Sequence, residues 1–217
     1  MLEIIQFMQS NWQELLQLAW EHLQLVGLAV AIAIVTGVPF GIYIAQRDSL
    51  ANLVLAVAGI VMTIPSIALF GLMIPILSTI GQGIGFLPAL LALILYSQLP
   101  IIRNTYIAIK NVNPDMRDAA IGMGMTTWER LAKVEIPLAL PVIMAGVRMA
   151  VVLTIGIGAI AAYIGAGGLG EYIARGISTS YDTMVQAGAI AVSIMAVMID
   201  FILGRVQKRL SPRTVRS

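Results

Sequence analysis

The sequence predicts an all-α integral membrane protein with five transmembrane helices and one structured polar loop, and three observations carry that expectation. Of 217 residues, 59% are apolar and 11% charged, where water-soluble chains run at about 45–50% and about 25%. Apolar runs of about 20 residues, enough to cross the hydrocarbon core of a bilayer, recur along the chain. The basic residues gather in a single internal stretch and at the C-terminal end. A soluble fold of this size leaves too much chain at its surface to hide so much apolar area. With no cysteine, disulfide scaffolds, thiolate metal sites and cysteine nucleophiles are excluded. His22 is the one histidine, too few for a histidine-built metal site. A net charge of +2 does not point to nucleic acid as a partner.

The elements follow in order. Residues 1–22 mix Leu2, Ile5, Phe7 and Leu15 with Glu3, Gln6, Gln13 and Glu14. No basic start, apolar core or small-residue cleavage pattern marks a signal peptide. Trp12 and Trp20 suit the headgroup level, so this segment reads as an interfacial helix on the outer side, with His22 structural. The membrane domain then covers 23–210. Its first span runs from Leu23 to Ala45, and the second from Leu50 to Leu77, interrupted by Pro65 and Pro75. The third runs from Phe86 to Ile102 and ends at Arg103. The fourth, from Leu138 to Ile164, follows Pro137, and the fifth runs from Met184 to Leu203. Residues 211–217 form a short cytoplasmic tail.

Orientation follows from the lysines and arginines of the short loops. With the N-terminus outside, eleven of the 13 basic residues fall on the cytoplasmic side, only Arg175 falls outside, and Arg148 lies within a span. The opposite orientation inverts that bias. The C-terminus is therefore expected in the cytoplasm.

The polar stretch 103–137 carries its own folding signals. Asn113 is a good N-cap, Pro114 suits the first helical position, and Asp115 complements the positive end of a helix. Gly122 or Gly124 ends that helix. Thr126 and Glu129 have the spacing of a capping box for a second one. Two short helices joined at a glycine elbow either cover the bundle as an amphipathic connector or form a rigid knob for a soluble partner. A loop with its own caps, in a chain of short loops, favours the knob.

At this point the chain resembles a known family. Asp118-Ala119-Ala120, Gly124 and Val134-Glu135-Ile136-Pro137 match the spacing of the EAA signature of binding-protein-dependent ABC importer permeases. That signature reads Glu-Ala-Ala, three residues, Gly, nine residues, then Ile-x-Leu-Pro. The departures are Asp for Glu at 118, which shortens the reach of an ion pair there, Val for Ile at 134 and Ile for Leu at 136. Thr63 to Ser66, Leu95 to Tyr106, Leu138 to Arg148 and Gly165 to Gly170 are similar to the osmoprotectant branch, whose members import glycine betaine, carnitine or choline. Methionine-importer permeases share the plan and are the nearest alternative.

The resemblance implies a MetI-like type I ABC importer permease in a bacterial or archaeal cytoplasmic membrane. It implies a second permease subunit, the same or related, two ABC ATPase subunits and an extracytoplasmic substrate-binding protein. Asp118, Ala119, Ala120, Gly124, Val134, Ile136 and Pro137 would form the loop that couples to the ATPase. Small alanines let a helix sink close to another surface, and Gly124 supplies the turn. The chain lacks a Gly-x-x-x-x-Gly-Lys-Ser/Thr stretch, so no cofactor is expected in it, and ATP and magnesium would bind the partner ATPase.

Other candidates keep two readings. Pro65 and Pro100 should bend their helices and free carbonyls. Nearby Ser66, Tyr96, Ser97 and Gln98 either line a polar route or bond between helices. Gly165, Gly167, Gly168 and Gly170 share one outer loop, of which Gly165, Gly167 and Gly170 match a dinucleotide fingerprint by letter but lack the strand–turn–helix setting it needs. They read as a tight outer turn that packs closely or meets the binding protein. Arg148 either reaches toward the cytoplasm or braces the loop through Glu135 or Asp118, and as a cation it is a poor ligand for a quaternary ammonium. Asp200 reads as an interfacial partner near Arg205. An ion-coupled secondary transporter would show paired midplane acids and an internal repeat. An intramembrane protease would need a serine–lysine or paired-aspartate site. The sequence shows none of these.

Overall fold

A computed structural model describes residues 2–210, so the tail 211–217 lies outside the described residues. Helices α1 (Leu2–Ser10), α2 (Trp12–Ile44), α3 (Asp48–Thr63), α4 (Ser66–Ser78) and α5 (Phe86–Lys110) come first. Helices α6 (Pro114–Gly122), α7 (Thr127–Arg130), α8 (Ile136–Ile160), α9 (Gly170–Ser178) and α10 (Asp182–Leu210) follow. Four stretches, carried by α2, α5, α8 and α10, are each long and apolar enough to cross a membrane.

Several boundaries differ from those expected. Helix α2 starts at Trp12, about three turns before the apolar run begins, because no glycine or proline interrupts Trp12 to His22. Only α1 stands apart from it. The second span is not continuous, since α3 and α4 meet at 99°. Ile64 is extended (ψ 127°) ahead of Pro65, as the ring of a proline demands of its predecessor. The 16 residues of α3 reach only about 24 Å and cannot cross alone. Helix α5 runs unbroken through Pro100 as far as Lys110, so the polar loop begins near Asn111 rather than Arg103. Pro137 breaks nothing either. A π-helical turn, Leu131–Glu135, carries α7 into α8 directly ahead of the proline, which has no N–H to donate.

Burial sorts the helices. Over their most apolar stretches, α5 is 56% buried and α10 only 11%, so α5 is the central post and α10 a peripheral one. Leu93 and Ala92 of α5 pack with Leu25 and Ala29 of α2 and with Phe70 of α4. Ile101 of α5 joins Val30 of α2 and Val147, Ala150 and Ile155 of α8. Gly37 and Gly41 let α2 close on α5, since a Cβ at Gly41 would come within 2.6 Å of the Thr105 Cβ. Small residues spaced by four are the usual way for membrane helices to approach. On α10, Val197, Met198 and Phe201 are exposed, an apolar face suited to lipid or to another membrane helix.

Candidate coupling loop and membrane site

The loop is built as its sequence spells it. The Asn113 side chain accepts from the Asp115 N–H at 2.9 Å, with Pro114 in the first turn of α6. The helix ends at Gly122, and Gly124 takes φ +78°, a left-handed conformation that only glycine adopts freely. Thr126 and Glu129 form a complete capping box, the Thr126 N–H donating to Glu129 at 3.0 Å. These hydrogen bonds, with Lys133 beside it, hold the Glu129 carboxyl well below the usual carboxylate range, at about 2.

One ion cluster fixes the loop to the spans. Glu135 is buried and lies 2.8 Å from Arg130 Nε and 3.3 Å from Arg117 Nε. Arg117 also donates to the Ile109 carbonyl at the C-terminal end of α5, where carbonyls without helical partners favour a cation. One carboxylate therefore ties α6, α7, the foot of α8 and the end of α5. Arg148, expected either to reach toward the cytoplasm or to brace the loop through Glu135 or Asp118, instead takes Asp200, while Arg117 and Arg130 hold Glu135.

The residues expected at the coupling contact divide by exposure. Asp118 and Ala119 face outward, whereas Ala120 is fully buried and packs inward. Val134 and Ile136 are half-buried, and Pro137 is exposed. The most prominent apolar groups on the loop are Met123, 68% exposed, and Trp128, 80% exposed. Both were missed in the sequence. A tryptophan in a polar loop of a chain with three was the available signal.

Within the spans, the polar residues bond between elements. The Tyr96 hydroxyl donates to the Ile64 carbonyl, capping the extended residue at the α3–α4 break. The Ser97 hydroxyl donates to Leu93 O at 2.8 Å and lies 2.9 Å from the Thr154 hydroxyl of α8. Gln98 donates to the Thr36 hydroxyl at 2.9 Å. Tyr96 and Ser97 are buried, whereas Ser66 and Gln98 are half-buried. Arg148 and Asp200 form a two-armed ion pair between α8 and α10.

At the end opposite the loop, Gly165, Gly167 and Gly168 all have positive φ, and a Cβ at Gly170 would lie 1.9 Å from the Ala159 carbonyl oxygen. Close packing alone thus demands glycine at 170. The buried His22 packs under Gly168, its Nε2 3.1 Å from the Ile155 carbonyl. Glu14 accepts from Tyr172 and Arg175, both at 2.9 Å, and Arg175 also holds Glu171. Burial and the Glu14 carboxylate push the Tyr172 phenol above its usual range. The edges of Phe7 reach Tyr172 and Tyr181, which seats α1 on this cluster.

A bundle of helices long and apolar enough to cross a membrane, with one self-capped loop standing off its end, defines a membrane-embedded subunit. The chain belongs to the family of binding-protein-dependent transport system inner membrane components, whose model matches residues 37–216. It is a non-catalytic permease subunit of an ABC importer. It is 51% identical to the osmoprotectant import permease protein OsmW of Salmonella typhimurium, over 99% of this chain and 100% of that protein. It is 40% identical to the glycine betaine/carnitine/choline transport system permease protein OpuCB of Bacillus subtilis, over 98% and 96% of the two chains. Among solved structures it is similar to a chain of the MetNI methionine ABC transporter in an inward-facing conformation. There the TM-score is 0.80 at 25% identity, covering 89% of this chain and 94% of that one.

Proposed function

We propose that this permease carries osmoprotectants of the glycine betaine, carnitine and choline class into the cell. The observation that carries the cargo is the similarity along the whole chain, at 39–51% identity, to permeases named for those compounds. The similarity to the methionine transporter stands lower, at 25%, and supports the fold more than the substrate.

The protein sits in a bacterial or archaeal cytoplasmic membrane with its N-terminus outside and its C-terminus inside, a topology the basic loops support. A second permease subunit, the same or related, completes the membrane unit. An extracytoplasmic binding protein delivers cargo at the Gly165–Gly170 end. ATPase subunits, which hold ATP and magnesium, grip the loop through Asp118, Ala119, Gly124 and the apolar Met123 and Trp128. Ala120, Val134 and Ile136 shape the loop from within, and Pro137 shapes its join to α8. Closure of the ATPases moves α6, and the Glu135 cluster passes that displacement to α5 and α8 as a rigid-body rotation. Ser66 and Gln98, half-buried near the α3–α4 break, line the route.

ATP hydrolysis by the complex assembled with its ATPase and binding protein tests this reading. Glycine betaine stimulates hydrolysis, and Gly124→Pro abolishes the stimulation by removing the left-handed elbow. Stimulation by methionine alone refutes the cargo. Full stimulation in Gly124→Pro refutes the coupling loop.

A further inference from the structure

The ion pair in the spans has no part in the mechanism above, yet its setting is unlike that of a buried structural pair. Arg148 lies twelve residues beyond Ile136 in α8, about 18 Å along the helix, and Asp200 lies ten before Leu210 in α10, about 15 Å from its end. Arg148 lies well inside its span, and Asp200 meets it from about one turn before the apolar run of α10 ends at Leu203. Their side chains are nonetheless 37% and 35% exposed, and they open into a cavity of about 460 Å³ with Met149, Val152 and Leu153 on one wall and Gln207 beside them. A charged pair does not face hydrocarbon at that exposure without large cost. A pair at that exposure is better matched by water or a polar ligand in this cavity than by lipid.

The geometry of the pair leaves a specific vacancy for hydrogen bonding. Arg148 donates through Nε and Nη2 to the two oxygens of Asp200, the second bond at 2.6 Å. That uses one edge of the guanidinium. The other edge, formed by Nη1 and the second hydrogen of Nη2, has no protein acceptor among the described residues. Gly204 lets α10 pass close beside the guanidinium, since a Cβ there would lie 3.2 Å from Nη1. A free guanidinium edge is shaped for a carboxylate. Asp200 offsets the charge of Arg148, so a quaternary ammonium meets no net positive field, and the apolar wall suits its methyl groups.

We infer that the Arg148–Asp200 cavity is a cargo site within the permease for zwitterions that carry both a carboxylate and a quaternary ammonium. The carboxylate accepts from the free edge of Arg148, and the ammonium lies toward Asp200. The site rests on the osmoprotectant reading and sharpens it: betaine and carnitine fit both charges, whereas choline, which has no carboxylate, meets only one.

The test is equilibrium binding of radiolabelled glycine betaine and of choline to the detergent-solubilised permease–ATPase complex without binding protein. The parent binds glycine betaine at least about tenfold more tightly than choline, the value of one charge-assisted contact. Arg148→Lys keeps the pair with Asp200 but has no second edge, so betaine binding falls about tenfold while choline binding is unchanged. A variant that unfolds would lose both ligands. The double variant Arg148→Gln/Asp200→Asn, which removes both charges together, should likewise lose the preference for betaine. Equal binding of the two ligands by the parent, or betaine binding unaffected by both variants, overturns the site. Uptake by the full complex separates the two claims: betaine uptake without binding at this cavity leaves the cargo standing and the site refuted, whereas no uptake of either compound refutes both.

Discussion

Replacing Glu135 is the sharpest perturbation of the loop, and its size can be worked from the contacts. In Glu135→Ala, Arg130 loses its 2.8 Å carboxylate partner and Arg117 its 3.3 Å one. A hydrogen bond to a charged group contributes about 1.5–3 kcal/mol, and breaking a buried pair costs about 3–5 kcal/mol. Both guanidiniums stay about a quarter exposed, and Arg117 keeps the Ile109 carbonyl. The expected loss therefore sits near the low end, about 2–3 kcal/mol. For a chain of this size, that lowers the unfolding midpoint by roughly 4–12 °C. Glu135→Gln retains an acceptor without the charge and should lose about half as much. The functional effect is larger than the structural one, because α6 is no longer tied to α8. Basal ATP hydrolysis by the assembled complex persists, and cargo moved per ATP falls. Glu135→Asp, which restores the charge on a shorter arm, recovers part of that ratio. Size-exclusion midpoints after heating, together with uptake and hydrolysis measured on the same vesicles, give both numbers. An unchanged transport-to-hydrolysis ratio in Glu135→Ala would refute the tie between loop and spans.

Three further outcomes are expected. Gly170→Ala places a methyl 1.9 Å from the Ala159 carbonyl oxygen and 2.6 Å from its carbon; backbone cannot yield that far, so folded permease is lost from membranes, as immunodetection of the assembled complex would register. Tyr96→Phe removes the hydroxyl that caps Ile64, lowering stability by about 1 kcal/mol and loosening the α3–α4 break, visible as faster protease cleavage there. The raised pKa of Tyr172 means that its contribution to stability is complete below the ordinary tyrosine value near pH 10 and is lost as pH rises through the higher folded value. Ultraviolet titration of the parent and of Tyr172→Phe should therefore coincide up to about pH 10, and a parent curve already steeper at that pH would contradict the bond to Glu14.

What could be read from the sequence was whatever is encoded locally. The caps at Asn113 and Thr126 and the elbow at Gly124 depend on neighbours a few residues away, and each stands where the residues pointed. Apolar length likewise marked α2, α5, α8 and α10, because lipid imposes that length on any spanning helix. Contacts between distant segments were not legible. Nothing near Arg148 announces Asp200, 52 residues on, and the charge nearest in sequence, Glu135, belongs to Arg117 and Arg130. Proline was the weakest guide: Pro65 turns the chain by 99°, whereas Pro100 and Pro141 sit inside continuous helices. The difference is made by surroundings such as the Tyr96 hydroxyl at Ile64, which no local rule contains. Ala120 shows the same limit. A small residue in the signature reads equally as a contact for a partner or as packing against the chain itself, and burial assigns it to the second.

The central claim, that this chain passes quaternary ammonium osmoprotectants through a membrane at the expense of ATP held by a partner, is met most directly by uptake into proteoliposomes. Vesicles containing the permease and its ATPase, loaded with ATP and magnesium and supplied with the binding protein outside, should accumulate radiolabelled glycine betaine, and should stop when ATP is omitted. Accumulation of methionine in place of glycine betaine, or betaine accumulation that continues without ATP, would contradict the account.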